Sequence, residues 1–325
     1  MREVTQSTAG PEPLHAGRAA AAYAAARLYY EDELSQAAIA ERLEVSRSTV
    51  SRLLADAREQ GIVRIEIHPP IPESRLGDEL ADALGLRRVV AVGHGHSAGS
   101  RMAMVDAARH ELSRLALKPG DVLVLGWGRQ CWAVANAPLP PLPGVRIVPA
   151  VGGMAETEQP FQGNEIVRRA AESSGASPHF LHAPAVPGKG LRGALLRDEA
   201  IKAVVSLWDD ITAAVLGIGV PPGQPGSYSP AHVKAGDAPP MLDAAGDVLT
   251  RFFDIDGAPV TYPAERRLLA VTREQLARAG TVIGLAAGEN KHRAMVGAAR
   301  AGVIDVLVTD IPNAAAALEL AGATT

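Results

Sequence analysis

Residues 35–64 have the sequence SQAAIAERLEVSRSTVSRLLADAREQGIVR, which contains two short helical patterns joined by a tight turn. The apolar side chains recur at spacings that place them on facing stripes of two helices. They are Ile39, Leu43, Val45, Val50, Leu53 and Leu54. Ala40 is small enough to let the two helices cross closely. The stretch therefore predicts a small helical core.

The turn and the second helix give this core a polar outer face. Ser46 is a favourable N-cap, so the second helix is expected to begin near Arg47. Glu44 stands where glycine most easily adopts a left-handed backbone, which predicts some strain in the turn. The polar outer face of the second helix can meet base edges and phosphates in a major groove. The predicted DNA-binding residues are Gln36, Ser46, Arg47, Ser48, Thr49, Ser51 and Arg52.

The residues after the second helix predict a wing. Ile62 to Ile67 alternates like a short strand after Gly61, and Pro69-Pro70 ends it. The alternative is a helical hairpin that packs against another element. Residues 35–64 carry five arginines against four acidic residues, a net charge of only +1. A single module would therefore attract DNA weakly, and several modules acting together would compensate.

The whole chain has 325 residues and a net charge of −4. That balance excludes a generally basic surface, so nucleic-acid contact must be local. Cys131 is the only cysteine, which excludes an internal disulfide and suits a reducing compartment. The first residues lack an apolar signal core, and no stretch holds 18 apolar residues without interruption. We expect a soluble, cytoplasmic protein without membrane contact.

Composition and pattern changes divide the chain into four segments. Pro69 to Pro72 marks a proline-rich boundary, and Arg75 to Leu84 is a charged amphipathic pattern that suits a linker or a dimer contact. We predict a disordered start at 1–13, a winged helix-turn-helix domain at 14–70, a linker or oligomerisation helix at 71–87, and an effector-binding domain at 88–325.

The last segment repeats one motif, an apolar strand-like run that ends in glycine or an acidic residue. The runs are Arg88–Val92, Asp121–Leu125, Arg146–Val151, Ala213–Leu216, Thr281–Ala287 and Ile304–Val308. Helical patterns such as 164–173 and 291–301 lie between most of them. This alternation predicts an α/β fold with a Rossmann-like, doubly wound parallel sheet. The carboxyl ends of its strands should form the ligand crevice.

Two segments depart from that pattern. Residues 219–240 are a long Gly/Pro-rich loop of a kind that is often a lid or a subunit contact. Residues 247–262 predict a hairpin with Asp256-Gly257 at its tip. The string from Asp254 to Gly257 is similar to a calcium loop, but later ligands at the needed spacing are missing. The hairpin is therefore preferred.

Several strand ends carry candidate ligand-binding groups. Gly126-Trp127-Gly128-Arg129-Gln130 would bring free amides, a guanidinium and a carboxamide to one strand end, although Trp127 could equally be core. A second strand end supplies Gly152 and Gly153, followed by Asn164, Glu165 and Arg168. The alternative for the last three is a solvent-facing helix surface.

Two later charged residues, Lys291 and Asp247, complete the predicted effector site, and Asp310 is a further candidate. Lys291 is expected at the start of a helix, where a cation opposes the helix dipole, so an anionic or hydroxyl-rich ligand explains it better. Asp247 precedes the hairpin, and Asp310 follows the last strand. Carboxylates can accept hydrogen bonds from sugar hydroxyls.

Other chemistries find little support in the sequence. His94 and His96 could chelate a metal, but a third ligand is missing. Walker and Gly-x-Ser-x-Gly motifs are absent, and Cys131 reads as core. We expect no cofactor, no metal and no catalytic residue.

The chain resembles the SorC family of bacterial transcription regulators over about residues 18–320. The resemblance rests on nine segments in order: SRSTVSRLLADAREQGIVRIEI, LGWGRQ, PAVGG, GNEIVRRAAE, LHAPAVP, LGIG, GDVLTRFFDIDG, AAGENKHRAMVGAARAG and VLVTD. It implies a winged helix-turn-helix joined to a sugar-binding domain similar to sugar-phosphate isomerases.

The resemblance also implies partners and site roles. They are double-stranded operator DNA, a sugar, polyol or sugar-phosphate effector, and further copies of the chain in a dimer or tetramer. Gly126 to Gln130 matches the family's effector loop, Asp247 its sugar-hydroxyl carboxylate and Lys291 its ligand-contacting lysine. Family members often have Thr or Ser where Gln130 stands, and a small hydroxyl suits a phosphate better than a bulkier carboxamide. The resemblance therefore does not decide whether the effector is phosphorylated.

Three functional hypotheses follow. The first is a regulator in which effector binding at the strand ends alters operator affinity through subunit rearrangement. The second is a sugar-phosphate isomerase with an accessory DNA module, in which Asp247 or Glu165 would be the base. The third is a nucleotide-responsive regulator.

Overall fold

The computed structural model describes residues 13–32, 34–63, 75–93, 98–154, 159–222 and 243–322, without the side chains of 13–17 and 98–100. The chain divides into two compact units, Met1–His68 and Pro69–Thr325. Each unit has its own hydrophobic core.

The smaller unit contains three helices: α1 (Pro13–Tyr30), α2 (Gln36–Arg42) and α3 (Arg47–Glu59). Their contact surface is built from small and branched apolar residues. Fully buried members are Ala22, Ala25, Ile39, Val50 and Ala57. Alanines on α1 allow close approach to α3, so the predicted miniature core is confirmed with α1 as its third side.

The turn between α2 and α3 matches the sequence prediction. The Oγ of Ser46 accepts the Thr49 backbone N–H at 3.1 Å, which makes Ser46 the N-cap of α3. Glu44 has φ +52°, in the left-handed region. The predicted strained residue is therefore confirmed.

The larger unit alternates helices and strands. Its strands are β1 (Arg88–Ala91), β2 (Val122–Leu125), β3 (Arg146–Pro149), β4 (Ser177–Pro178), β5 (Ile211–Gly219), β6 (Gly246–Val248), β7 (Arg251–Phe253), β8 (Pro259–Val260), β9 (Thr281–Ala286) and β10 (Val306–Thr309). Its helices are α4 (Arg75–Leu84), α5 (Ala98–Arg114), α6 (Arg129–Ala135), α7 (Gly163–Ser174), α8 (Leu191–Leu195), α9 (Glu199–Val205), α10 (Arg273–Arg278), α11 (His292–Arg300) and α12 (Ile311–Gly322).

Seven strands form the central sheet in the order β1-β10-β9-β5-β2-β3-β4, and every adjacent pair along it is parallel. Sequential strands run outward in one direction from β2 to β4 and in the other from β5 to β10. The predicted α/β fold with a doubly wound parallel sheet is confirmed. Its strand order reverses between β2 and β5, where such sheets place their ligand crevice.

The two faces of the sheet pack against different helices. Successive residues of β2 alternate between two core clusters, because neighbouring side chains of a strand point to opposite faces. One cluster includes residues of α4, α9, α11 and α12, and the other includes residues of α5, α6 and α7. Helices on both faces bury the strands, which explains their continuous apolar runs.

Helix α4 packs within the larger unit, against β1 and α12. Leu80 on this helix is fully buried in the core shared with α12. The segment predicted as a linker or oligomerisation helix thus contributes to this core. Its role in oligomerisation stays a prediction.

A three-stranded antiparallel extension continues from the end of β5 through β6, β7 and β8. The turn at Asp256-Gly257 joins β7 to β8, so the predicted hairpin is confirmed. The Asp254 carboxylate accepts the backbone N–H groups of Asp256 and Ala258 at 3.0 and 2.8 Å. It serves the turn, as an Asx motif does.

Several predicted features fall outside the described residues: the start at 1–12, the wing beyond Val63, His94 and His96, and the Gly/Pro-rich loop from 223 onward.

Candidate functional site

The carboxyl ends of β2, β5 and β9 meet at the point where the strand order reverses. We call Arg129, Gln130, Asp247 and Lys291 the crevice cluster, because all four lie on segments that follow or flank these strand ends. The sequence predicted all four as effector-binding residues. Gln130 and Lys291 donate hydrogen bonds to backbone carbonyls at strand ends, and the charges of Arg129 and Asp247 both affect the pKa of Lys291.

Lys291 is a buried cation at the centre of this cluster. Its side chain is 8% exposed, and its Nζ donates a hydrogen bond to the backbone carbonyl of Ile218 on β5 at 2.9 Å. As the N-cap of α11, the residue stands at the positive end of a helix dipole, as the sequence predicted. A buried ammonium that has polar partners is a strong donor for a ligand oxygen.

Asp247 is the neighbouring carboxylate. It is partly buried, and burial raises its pKa to about 6 although the Thr250 amide and the Lys291 charge lower it. Burial likewise lowers the pKa of Lys291, against the opposing effect of Asp247. Each charge therefore compensates part of the other's desolvation.

Gly219 and Thr250 hold Asp247 in place. The Thr250 N–H donates to Asp247 Oδ2 at 2.9 Å. A Cβ at Gly219 would stand 1.9 Å from Asp247 Oδ1, so only glycine leaves room for this carboxylate. Neither residue was predicted as part of the site, although the Gly-Ile-Gly at the end of β5 was a signal for Gly219.

Gln130 joins two strand ends across β5. Its Nε2 donates to the backbone carbonyl of Ala287, after β9, at 2.9 Å. Arg129 is exposed at the first position of α6, and its positive charge contributes to the lowered pKa of Lys291. Trp127 is half-buried and packs against the sheet core, in line with the core alternative.

The expectation that the Gly126–Gln130 turn offers free amides is wrong for Gly126 and Gly128, and the amides of Gly152 and Gly153 at the next strand end are also paired. The N–H of Gly126 donates to Val215, that of Gly128 to Phe161, that of Gly152 to Leu269 and that of Gly153 to Ala183, all at 2.8–3.0 Å. Sheet and loop pairing continues past the strand ends, and buried N–H groups take such partners. Gly152 is also sterically required, because a Cβ there would meet the Ala183 carbonyl at 2.6 Å.

The remaining predicted residues lie on α7, beyond β3, and are engaged with the protein. Asn164 bonds both the N–H and the carbonyl of Leu181, at 3.0 and 3.1 Å. Glu165 pairs with Arg168 at 2.5 Å, and this hydrogen bond lowers the Glu165 pKa. Arg168 also contacts Glu172. These contacts favour a structural role.

A second polar pair supports the Lys291 loop, a role that the sequence did not predict. Asp310 and Asn313 are 4% and 6% exposed at the start of α12. Asp310 Oδ2 accepts the Gly288 N–H at 2.8 Å, and Asn313 Oδ1 accepts the Lys291 N–H at 2.9 Å. Asp310 was considered only as a ligand contact. A carboxylate followed three residues later by a carboxamide at a helix start was the available signal.

In the smaller unit, the predicted DNA-binding residues surround the start of α3. Ser46, Arg47, Ser48, Ser51 and Arg52 are exposed, whereas Gln36 and Thr49 are half-buried. The apolar side of the helix is buried by Val50, Leu53 and Leu54. The exposed face therefore combines hydroxyls and guanidinium groups suited to phosphates and base edges.

The described part of the chain contains no group of three or more His, Cys, Asp or Glu residues arranged to hold a metal ion. Among its helices, none has both the length and the apolarity needed to span a bilayer. Cys131 is buried in the core, which raises the pKa of its thiol to about 12.

Two family descriptions match the two parts of the chain. Residues 68–319 match a family described as a sugar-binding domain, and residues 19–70 match the MarR family.

Relatives and solved structures extend over both parts. The sorbitol operon regulator of Klebsiella pneumoniae is 32% identical over 294 residues, 88% of this chain and 93% of that protein. The deoxyribonucleoside regulator of Bacillus subtilis (strain 168) is 27% identical, with 88% and 93% covered. The crystal structure of the full-length sorbitol operon regulator SorC from Klebsiella pneumoniae superposes with a TM-score of 0.69, at 31% identity, and covers 93% of this chain and 99% of that one.

Proposed function

This chain belongs to the SorC family of transcription regulators, and from that premise we propose that a polyhydroxylated effector binds at the crevice cluster and changes operator affinity. The protein is a ligand-responsive DNA-binding regulator. The observation that carries the proposal is the buried Lys291 beside Asp247 at the strand-order reversal. Two compensated charges there offer a donor and an acceptor to ligand hydroxyls.

The effector is a sugar, a polyol or a sugar phosphate. Asp247 accepts hydrogen bonds from hydroxyl groups, whereas Lys291 donates to hydroxyl or phosphate oxygens. Arg129 adds an exposed second cation beside one carboxylate, so the cluster carries a net positive charge that also suits a phosphate. Sorbitol, named in the description of one relative, is a reasonable first polyol to test.

The DNA partner is a double-stranded operator contacted by α3. We propose that the residues around its start meet the major groove, with Gln36 at the start of α2 contributing. The module's charge of +1 over residues 35–64 is small, so we propose that the chain binds as a homodimer or homotetramer in the cytoplasm. Effector binding would then change the arrangement of the subunits.

A thermal-shift screen over matched sugars, polyols and their phosphates tests the effector site. We expect one chemical class to raise the melting temperature, because ligands that bind the native state stabilise it. The increase should disappear in Lys291→Ala and persist in Lys202→Ala, since Lys202 is exposed on α9. Arg129→Ala should weaken the binding of a sugar phosphate more than the binding of its parent sugar. Stabilisation by NAD or ATP alone would instead support a nucleotide-responsive regulator.

A binding assay with the DNA upstream of the protein's own gene tests the smaller unit. Arg52→Ala should weaken retention of that DNA by about 5- to 150-fold, the usual range for a lost base contact. Arg197→Ala, which changes an exposed arginine of the larger unit, is the matched control. Absence of sequence-selective binding in every ligand state would overturn the proposal.

The isomerase hypothesis makes a different prediction. The relatives are named as regulators, and we propose that this chain has no catalytic role. An enzyme would turn over pentose or hexose phosphates, and this turnover would vanish in Asp247→Asn. Binding of the same compounds without turnover supports the regulator.

A further inference from the structure

The loop from Gly288 to Lys291 is held at both ends by Asp310, which precedes α12, and by Asn313 in the first turn of that helix. At one end, Gly288 donates its N–H to Asp310 at 2.8 Å and accepts the Asn313 carboxamide at 2.6 Å through its carbonyl. At the other end, the Lys291 N–H donates to Asn313 at 2.9 Å. Two side chains thus satisfy three backbone groups of a four-residue loop.

This loop contains backbone of positive φ that outside contacts help to fix. Gly288 has φ +105° and Asn290 has φ +55°, and the second value lies in the left-handed region, which ordinary side chains rarely adopt. Such residues persist where surrounding contacts over-determine them. The contacts to Asp310 and Asn313 provide that support.

Asp310 also fixes the rotamer of Asn313. The Asn313 carboxamide nitrogen lies 2.8 and 2.9 Å from the two Asp310 carboxylate oxygens, and the Asn313 N–H donates to Asp310 at 2.9 Å. With its nitrogen held by Asp310 and Gly288, the carboxamide oxygen can only point towards Lys291. The pair is buried, so these charge-assisted bonds are little weakened by water.

We infer that Asp310 and Asn313 are positioning residues for Lys291, an assignment that rests on the proposed function for its link to the effector. They fix the Lys291 backbone as the N-cap of α11, from which Nζ reaches the Ile218 carbonyl beside Asp247. Neither side chain needs to touch the effector. Their loss releases the ammonium from the place where a ligand would meet it.

The test measures the reactivity of Lys291 in the full-length protein without any effector. Brief labelling with acetic anhydride followed by peptide mass spectrometry compares Lys291 with the exposed Lys202. In the wild type, burial should make the acetylation of Lys291 slow. Asn313→Ala and Asp310→Asn should raise its relative labelling by about 3- to 10-fold, the factor that loss of one hydrogen bond corresponds to.

Controls separate positioning from general unfolding. Asn136→Ala removes an exposed carboxamide at the end of α6 and should leave the Lys291 ratio unchanged. If labelling of every lysine rises in Asn313→Ala, that variant has unfolded, and the isosteric Asp310→Asn decides. An unchanged Lys291 ratio in a folded Asp310→Asn overturns the inference.

The effector screen then separates this inference from the proposed function. Sorbitol, glucose and glucose 6-phosphate are the first probes, and a probe that stabilises the wild type should stabilise both variants less. If no probe stabilises the wild type but Lys291 labelling still rises in the variants, the positioning role stands and the proposed effector class fails. If a probe stabilises wild type and variants equally, the link to the effector fails.

Discussion

Asp247 is a carboxylate whose charge costs stability in the folded chain. Its pKa is about 6, against 3.8 for an ordinary aspartate, mainly because of burial. The folded state therefore holds the proton more tightly than the unfolded state, and stability falls as pH rises from about 4 to about 6. The negative charge of Asp247 also acts to raise the pKa of Lys291 and that of Tyr262.

The loss of unfolding free energy caused by Asp247→Asn should shrink as pH rises, and the substitution could even become stabilising. An amide carries no charge, so the variant lacks the penalty that the wild type acquires between about pH 4 and about pH 6. Between about pH 4 and pH 7.5, its stability relative to wild type should improve by at most about 3 kcal/mol. Urea denaturation at both pH values measures the difference. A gap that does not change with pH would contradict the raised pKa.

Glu44 offers a second residue-scale test. It is exposed and has φ +52°, so the turn carries the cost of a left-handed non-glycine residue whose side chain faces solvent. Glu44→Gly should stabilise the smaller unit by about 1 kcal/mol, the usual penalty of a left-handed non-glycine residue. Glu41→Gly, at an exposed position within α2, should destabilise it by a similar amount. Thermal denaturation of both variants checks these opposite signs.

Residue-level reasoning predicted the turn correctly but misjudged the amides. The strain at Glu44 and the cap at Ser46 follow from local rules that tertiary contacts do not override. The partners of the Gly126 and Gly152 amides come from distant segments, Val215 and Leu269. Asn313 was missed for the same reason, because a carboxamide on a helix resembles a surface residue until its long-range partners are known.

At the scale of elements, α4 is where sequence and structure differ most. Its charged amphipathic pattern suggested a connector, yet its apolar stripe packs on β1 and α12. A short amphipathic helix has the same periodicity whether its apolar side meets the same chain or a second copy. Strand β5 also extends beyond the predicted 213–216 to Ile211–Gly219, since glycines at its end are compatible with pairing to β6.

Leu80→Ala tests whether α4 is part of the core. Leu80 is fully buried, so its truncation should destabilise the larger unit by about 2–5 kcal/mol. Leu80→Met, which nearly conserves volume, should cost less than about 1.5 kcal/mol. Thermal denaturation followed by circular dichroism gives both values. A loss of oligomers without a loss of stability would indicate instead that α4 serves mainly as a subunit contact.

At the scale of the whole molecule, the chain joins a weakly charged DNA module to a ligand crevice. The net charge is +1 over residues 35–64 and −4 over the full chain. The long-range electrostatic attraction of a single module to DNA is therefore weak. A second module on the same DNA would add its contacts at a high effective concentration. Affinity then depends on whether two modules reach their half-sites together, which is the quantity an effector can change.

Binding to DNA fragments that carry one or two half-sites measures this dependence. The half-sites are first mapped by footprinting on the upstream DNA. With two half-sites at the natural spacing, affinity should exceed that for one by about 100-fold or more, and the salt dependence should be about twice as steep. Inserting about five base pairs moves one half-site to the opposite side of the duplex and should remove the gain. Equal affinity for one and two half-sites would show that a single module suffices, so the effector would have to act within α3 itself.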